Sequence, residues 1–345
     1  MITIHLWGYD STCQPSLISP ESIALYWFLE ETAEGEQEGQ GQGQGQVLRK
    51  DIEIVFSNNP SLSPNYHLPL LIDKQGTTAN LEEESDDTFK KPVILSGYDN
   101  IIRYLTTGSH DDAMSSALLQ FVADDIGSLT EWALYLNKNN YNNFTRPEHA
   151  RLLRCEQSLL QRLLLGSATA ATTTAMSVRA AVLKRLKRLN KEEPEEPAEL
   201  KETAPEDLAQ SKVFKLQLES RQRVKRELQD FTDRTAYLSR LVDAVQRWRE
   251  ATGNSGNNIP SGATAARLLL LANLRVQFSL PDTGAAARDR LSAEFTEEFV
   301  QRLMSMSMSL HTTPVHHRAP LYWTEMPNFV SSALNWCYYR WSRYW

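Results

Sequence analysis

The sequence is poor in cysteine, with three residues, Cys13, Cys155 and Cys337, in 345. They lie far apart and form no CxxC pair and no Cys/His cluster. So sparse and odd a set excludes a disulfide framework and a zinc site, and it points to a reducing compartment. Histidine does not restore a metal reading, because the adjacent His316 and His317 have no ligand-spaced partner; a solvated turn is expected there. Basic residues are not in excess. The chain has 36 Lys and Arg against 43 Asp and Glu, a net charge of −7, which excludes the bulk electrostatic footprint of a nucleic-acid binder. Long hydrophobic runs are missing too. The longest, "LLLLANL" from Leu268 to Leu274, is bracketed by Arg267 and Arg275, whereas a bilayer-spanning helix needs about 20 mostly apolar residues. The opening "ITIHLWGY" has no basic leader, apolar h-region or Arg/Ser-rich transit helix, so no targeting segment is expected.

What is present reads as an α/β part followed by an all-helical part. "ITIHLW" alternates like a strand. "SPESIALYWFLEET" is a helix, with Ser19 placed to cap it, Pro20 at its first position and Glu21 at its positive end. "DIEIVF", "HLPLLI" and "KPVILS" are strands, and "YDNIIRYL" is a helix. Two insertions interrupt this series. Gly35 to Gln46 is a low-complexity Gly/Gln tract that reads as a flexible loop, and Thr77 to Lys91 is an acidic, polar tip. From residue 112 onward the pattern is helical. In "VKRELQDFTDRTAYLSRLVDAVQRW", Val224, Leu228, Phe231, Leu238, Val242, Val245 and Trp248 fall on one face, which predicts a continuous core-facing stripe. Asn190 to Lys212 is rich in Pro and Glu and reads as a disordered linker. The expected organisation is an N-terminal domain over 1–108, a helical domain over 109–310 containing the linker 190–212, and an aromatic segment over 311–345. Each of the two domains is expected to carry its own core.

The stretches "VFSNNPSLSPNYHLPLLI", "LSGYDNI" and "NKNNYNNFTRP", with the opening "HLWGYDSTCQPSLISPESIALYWFL", resemble the metaxin family. The likeness is strongest to the larger metaxin-like subunit of the fungal mitochondrial sorting and assembly machinery. It covers about the first 150 residues well and the later helices as a pattern. It implies a glutathione-transferase-like fold, a thioredoxin-like half followed by helices. In that fold the proline opening the third strand is cis, and Leu68-Pro69 matches it. The enzymes next present an acidic or amide residue and a serine at the start of the following helix, where the glutamyl carboxylate of glutathione binds. Gly97 and Tyr98 stand there, or Ser96 and Gly97 one register earlier, and either way the ligand pair is broken. Glycine supplies no ligand, and the bulk of tyrosine is expected to intrude on the pocket. The enzymes' buried Ser/Thr-x-x-Asp capping box falls on "TAAR", with Arg267 where the aspartate belongs. Tyr9 and Cys13 lie near the catalytic position. Tyr9 is expected to pack, and Cys13 sits several residues ahead of the helix at Ser19, where a helix terminus does not activate a thiol.

Two further features are candidates for contacts. In "RAAVLKRLKRLN", Lys184, Arg185, Lys187 and Arg188 oppose Val182, Leu183, Leu186 and Leu189; the basic face is either a docking patch or a solvated surface. The last 25 residues hold nine of the chain's 31 aromatics. Trp336, Arg340, Trp341, Arg343, Tyr344 and Trp345 are candidates for contact with a partner or a membrane surface, the alternative being a terminal helix docked on its own domain. The resemblance implies a non-catalytic subunit without cofactor or metal, peripheral on the cytosolic face of the mitochondrial outer membrane. Its implied partners are a second metaxin-like subunit, the membrane β-barrel channel subunit and the import translocase, with β-barrel precursors handled indirectly. The alternative is an active glutathione transferase or glutathione-dependent reductase using Cys13.

Overall fold

The computed structural model describes residues 2–37, 52–65, 67–74, 92–106, 113–154, 179–180, 212–252, 264–309, 317–321 and 325–326. The expected element order of the first hundred residues is found. β1 (Ile2–His5), β4 (Ile52–Val55), β5 (Leu70–Asp73) and β6 (Val93–Ser96) form a mixed sheet in the order β4-β1-β5-β6. β1 is central and buried along its whole length, which is why it carries Ile2, Thr3 and Ile4 in succession. It pairs parallel with β4 (Ile4 opposite Ile54) and antiparallel with β5 (Ile4 opposite Leu71). The parallel pair requires a crossover, and α1 (Pro20–Gln37) supplies it. Ser19 caps α1 as its position predicts, its Oγ accepting from Ser22 N at 3.3 Å. α1 runs through Gly35, so the start of the expected Gly/Gln loop is helical; the remainder of that loop lies outside the described residues. A two-stranded hairpin, β2 (Gly8–Tyr9) with β3 (Gln14–Pro15), is an addition that its short, polar sequence does not signal.

Helix α2 (Tyr98–Leu105) closes the sheet region. The rest is mostly helical. Residues 113–154 alternate α-helix with three π-helical segments, Val122–Ile126, Trp132–Leu136 and Tyr141–Thr145. "NKNNYNN" explains how these wide turns are held. Asn137 caps Asn140 N at 2.9 Å, and buried Asn140 donates to Ala133 O and Thr283 Oγ1 while accepting from Asp282 N. The helix Thr264–Ser279 is buried on nearly every side and packs along α1. Near the end of the helical part come two helices, Gly284–Glu294 and Glu297–Ser309, separated at Phe295.

Two expectations need correction. First, the halves do not have separate cores. One continuous apolar cluster runs from Ile2 and Ile4 through Trp27 and Tyr98 to Leu268 and Val300. Second, the stripe on the 41-residue helix Lys212–Thr252 is not buried throughout. Leu241, Val242, Val245 and Trp248 are in the core, but Val224, Leu228 and Phe231 are about two-thirds exposed. The periodicity is right, but that part of the helix extends past its packing partners among the described residues, and periodicity cannot report where a partner ends.

Candidate functional site

The cleft between the sheet and the helical part is where the ligand position expected from the sequence falls. The Leu68–Pro69 peptide is cis, and Pro69 O accepts from Gly97 N at 3.0 Å, setting β5 against the start of α2. Gly97 has φ +88°, a conformation that side chains with a Cβ rarely adopt, so glycine is needed here by the backbone. The amide of Tyr98, the first of α2, points at a carboxylate. That carboxylate belongs to Glu21 at the start of α1, whose Oε2 accepts from Tyr98 N at 3.1 Å. His67 Nδ1 lies 3.9 Å from the same oxygen. Helix N-termini attract anions through their orphan amides and their dipole; here the protein supplies the anion itself. Nothing local in the sequence signals this contact, which joins residues 77 positions apart.

Tyr98 is a correction. Its ring does not intrude on the cleft but is buried between the two halves, and its hydroxyl donates to Ala265 O at 2.9 Å. Burial, with Glu31 and Glu21 adding, pushes its phenol well above the ordinary range, so it is a neutral donor. Arg267, which stands in place of a capping aspartate, reaches Glu31 on α1 at 2.9 Å. The substitution exchanges a cap within one helix for an ion pair between two.

Beyond Glu21 the cleft deepens into a cavity of about 220 Å³. Trp7, Glu21, His67, Glu131, His149 and Asn273 are among its lining residues. Trp7 meets the His149 ring edge-on at 5.5 Å, and Tyr135 Oη lies 3.3 Å from His149 Nε2. Burial lowers His149 from its ordinary 6.5 to about 4, so the ring is neutral at pH 7. His149 Nδ1 and Asn273 Oδ1 are buried and have no hydrogen-bond partner among the described residues. Residues from two of the three π segments, Ala123, Leu134 and Tyr135, line the cavity. π-bulges recur at functional sites, and no amphipathic-helix pattern separates them from ordinary α-helix.

The thiol of Cys13 is in the β2–β3 turn, at φ +51°, with Sγ 3.5 Å from Asp10 O. It precedes the first residue of α1 by seven positions and meets no helix terminus. Tyr9 does more than pack. Its hydroxyl and that of Ser16 both donate to Glu148, and the Arg151 guanidinium lies 4.9 Å from its ring centroid.

His317 is not in a solvated turn. It forms a parallel bridge with Ile54 on the β4 edge and stacks on Phe56 and Tyr26 at 5.4 and 5.8 Å. Arg318 N donates to Ile54 O, and its guanidinium binds Glu53 at 3.0 Å and Glu325 at 2.8 Å. Asn59 Nδ2 donates to Met326 O at 3.2 Å. Residues 317–321 and 325–326 are therefore a strap along the sheet edge. Lys184, Arg185, Lys187 and Arg188 lie outside the described residues, as do Trp336, Arg340, Trp341, Arg343, Tyr344 and Trp345, and most of the linker 190–212 and the tip 77–91. Among the described residues no helix is long and apolar enough to cross a membrane, and no His/Cys/Asp/Glu group could hold a metal ion.

Comparison with known families gives two matches that share one name. Residues 22–163 match the family Tom37, described as outer mitochondrial membrane transport complex protein, and residues 189–339 match the Tom37 C-terminal domain. No curated protein matches the chain.

Proposed function

Because the chain belongs to the metaxin-like Tom37 family of outer mitochondrial membrane transport complex proteins, we propose that it is a non-catalytic subunit of the sorting and assembly machinery. In this reading the mixed sheet with α1 and α2 is a thioredoxin-like half, and the whole is a glutathione-transferase-like fold reused as a scaffold. The subunit sits peripherally on the cytosolic face of the outer membrane. It pairs with a second metaxin-like subunit and the β-barrel channel subunit, supports insertion and release of β-barrel precursors, and tethers the machinery to the import translocase.

The observation that carries the non-catalytic reading is the state of the α2 N-terminus. The amide that would receive a glutathione carboxylate already binds Glu21, and Gly97 offers no side chain beside it. Glu21 and Glu131 line the adjoining cavity, and no Arg or Lys is among the described residues of its wall. A doubly carboxylated ligand would meet like charge at short range. The bare stripe of Val224, Leu228 and Phe231 supports a role in a complex, since exposed apolar patches mark interaction surfaces.

The test is affinity capture of the full chain from detergent-solubilised outer membranes with identification of partners, alongside carbonate extraction of intact membranes. The reading expects the channel subunit and a second metaxin-like protein in the captured complex, and release of most of the chain by carbonate. Capture without either partner, or full retention in the carbonate pellet, contradicts it.

A further inference from the structure

Building on the reading of the chain as a subunit of a complex, we propose that the outward part of the helix Lys212–Thr252 docks in an apolar groove of a protein partner. Val224, Leu228 and Phe231 are its three anchors. They are 64, 66 and 68 % exposed. Their spacing of i, i+4 and i+7 sets them in one ridge along two turns. From Ser220 to Ala236 every described residue is exposed except the half-buried Arg234. The ridge is therefore convex, and a convex apolar ridge is complementary to a concave surface.

Length decides which occupant fits. From Leu238 onward the same stripe is taken up by the protein's own core, through Val242 and Val245. Upstream, the same spacing falls on Arg221 and Gln217. The bare seam runs only from Val224 to Phe231, about 10 Å at 1.5 Å per residue. A coiled coil sustains its seam over about three heptads or more. A stable dimer buries about 800 Å² on each copy, which three side chains do not supply. Docking of a helix in a groove needs only anchors at this spacing. The ridge is also held ready. Just after it, Arg234 Nη2 donates to Asp282 O at 2.7 Å, and Tyr237 stacks on Trp132 with centroids 5.0 Å apart and donates to Gln277 at 2.8 Å. A helix fixed at its root loses little freedom on docking, which favours binding.

The test has two arms, both on the full chain. In intact outer membranes, Phe231 is replaced by the photoreactive p-benzoylphenylalanine and the adduct is identified by mass spectrometry. From solubilised membranes, the unaltered chain and its variants are captured and each complex subunit is quantified. The expected adduct is with one subunit of the complex, and Leu228→Asp and Val224→Asp should each lower recovery of that subunit at least about tenfold. Gln229→Asp makes the same kind of change on a residue turned away from the ridge and should leave recovery unchanged. Because the ridge is exposed, melting temperatures should stay within about 2 °C of the parent. An adduct with lipid, with a second copy or with another part of the same chain overturns the proposal, as does the lack of any adduct. Equal recovery in all variants overturns it too, as does a fall of more than about 5 °C in Leu228→Asp, which would put the ridge in the protein's own core. Each of these leaves the reading as a complex subunit standing, whereas failure of the unaltered chain to capture any complex subunit contradicts both.

Discussion

The two sides of the sheet treat charge in opposite ways. On the β4 edge every charge of the strap is matched, with Arg318 between Glu53 and Glu325, and the Leu321 amide donating to Glu325 as well. An edge strand left open would be a template for pairing with another chain, and here residues 317–318 cover it. In the cleft, Glu21 and Glu131 line one cavity, and the buried His149 Nδ1 and Asn273 Oδ1 beside them have no hydrogen-bond partner among the described residues. A satisfied network specifies structure. An unbalanced one costs stability and is retained where it does something else. The first edge therefore reads as structure and the second as a site.

The largest effect that would break this comparison is at the joint between the halves. Tyr98→Ala removes a buried ring and its bond to Ala265 O, and should cost about 3–5 kcal/mol, whereas Tyr98→Phe should cost about 1 kcal/mol. Denaturant midpoints at constant slope measure both. A cost below about 1 kcal/mol for the alanine would mean that the halves are not joined through this residue.

Acidification probes both sides at once. Burial lowers His149 in the cleft from 6.5 to about 4. Burial is also the main cause at His5 beside the strap; Glu325 pulls it up, Arg318 and Lys74 push it down, and it too ends at about 4. The unfolded chain takes up these protons first, so stability is lost as pH falls from 6.5 towards 4. At pH 5 the loss should be about 2 kcal/mol for each histidine. Melting temperature against pH in His5→Gln and in His149→Gln should each show a shallower fall than the parent. An unchanged slope in both excludes the buried histidines as the cause. For Glu325, burial alone would raise the carboxyl, but donation from Arg318 and the Leu321 amide outweighs it and holds the group low. Its contribution is thus present above the unfolded value of 4.5 and is lost as pH falls below it.

Arg318→Ala should cost about 2 kcal/mol, because it leaves two part-buried carboxylates facing each other without a cation. Glu325→Gln in the same background should recover part of this. No recovery would show that the strap is held by His317 stacking rather than by charge.

Smaller again, Gly97→Ala should cost about 1–2 kcal/mol through its positive φ, since nothing lies within 4 Å of the added methyl. A neutral outcome would mean that the α2 start can move, and the carboxylate of Glu21 with it.

Much of the fold was legible because its signals are local. The limits of α2, the Ser19 cap and the succession of strands along the chain each depend on a few neighbouring residues, while the cis proline was expected from the family resemblance. What escaped reading depends on distant partners. Glu21 looks like an ordinary residue of the first helical turn until Tyr98 meets it, and His317 looks like half of a polar pair until Phe56 and Tyr26 stack on it. Tyr98 was placed in the cleft because sequence gives its position but not its rotamer. Val224, Leu228 and Phe231 keep a core-like spacing where the core has ended. Of the cavity's wall the expected site supplied Leu68, while His67, Glu131, His149 and Asn273 come from segments whose contacts no motif announces.

The most direct test of the central claim, that this fold is used without glutathione chemistry, is calorimetry of glutathione against the purified full chain, paired with turnover of a chromogenic electrophile. The carboxylate of Glu21 on the α2 N-terminus predicts no saturable heat at millimolar glutathione and no turnover above background. A dissociation constant in the micromolar range, or measurable conjugation, contradicts it.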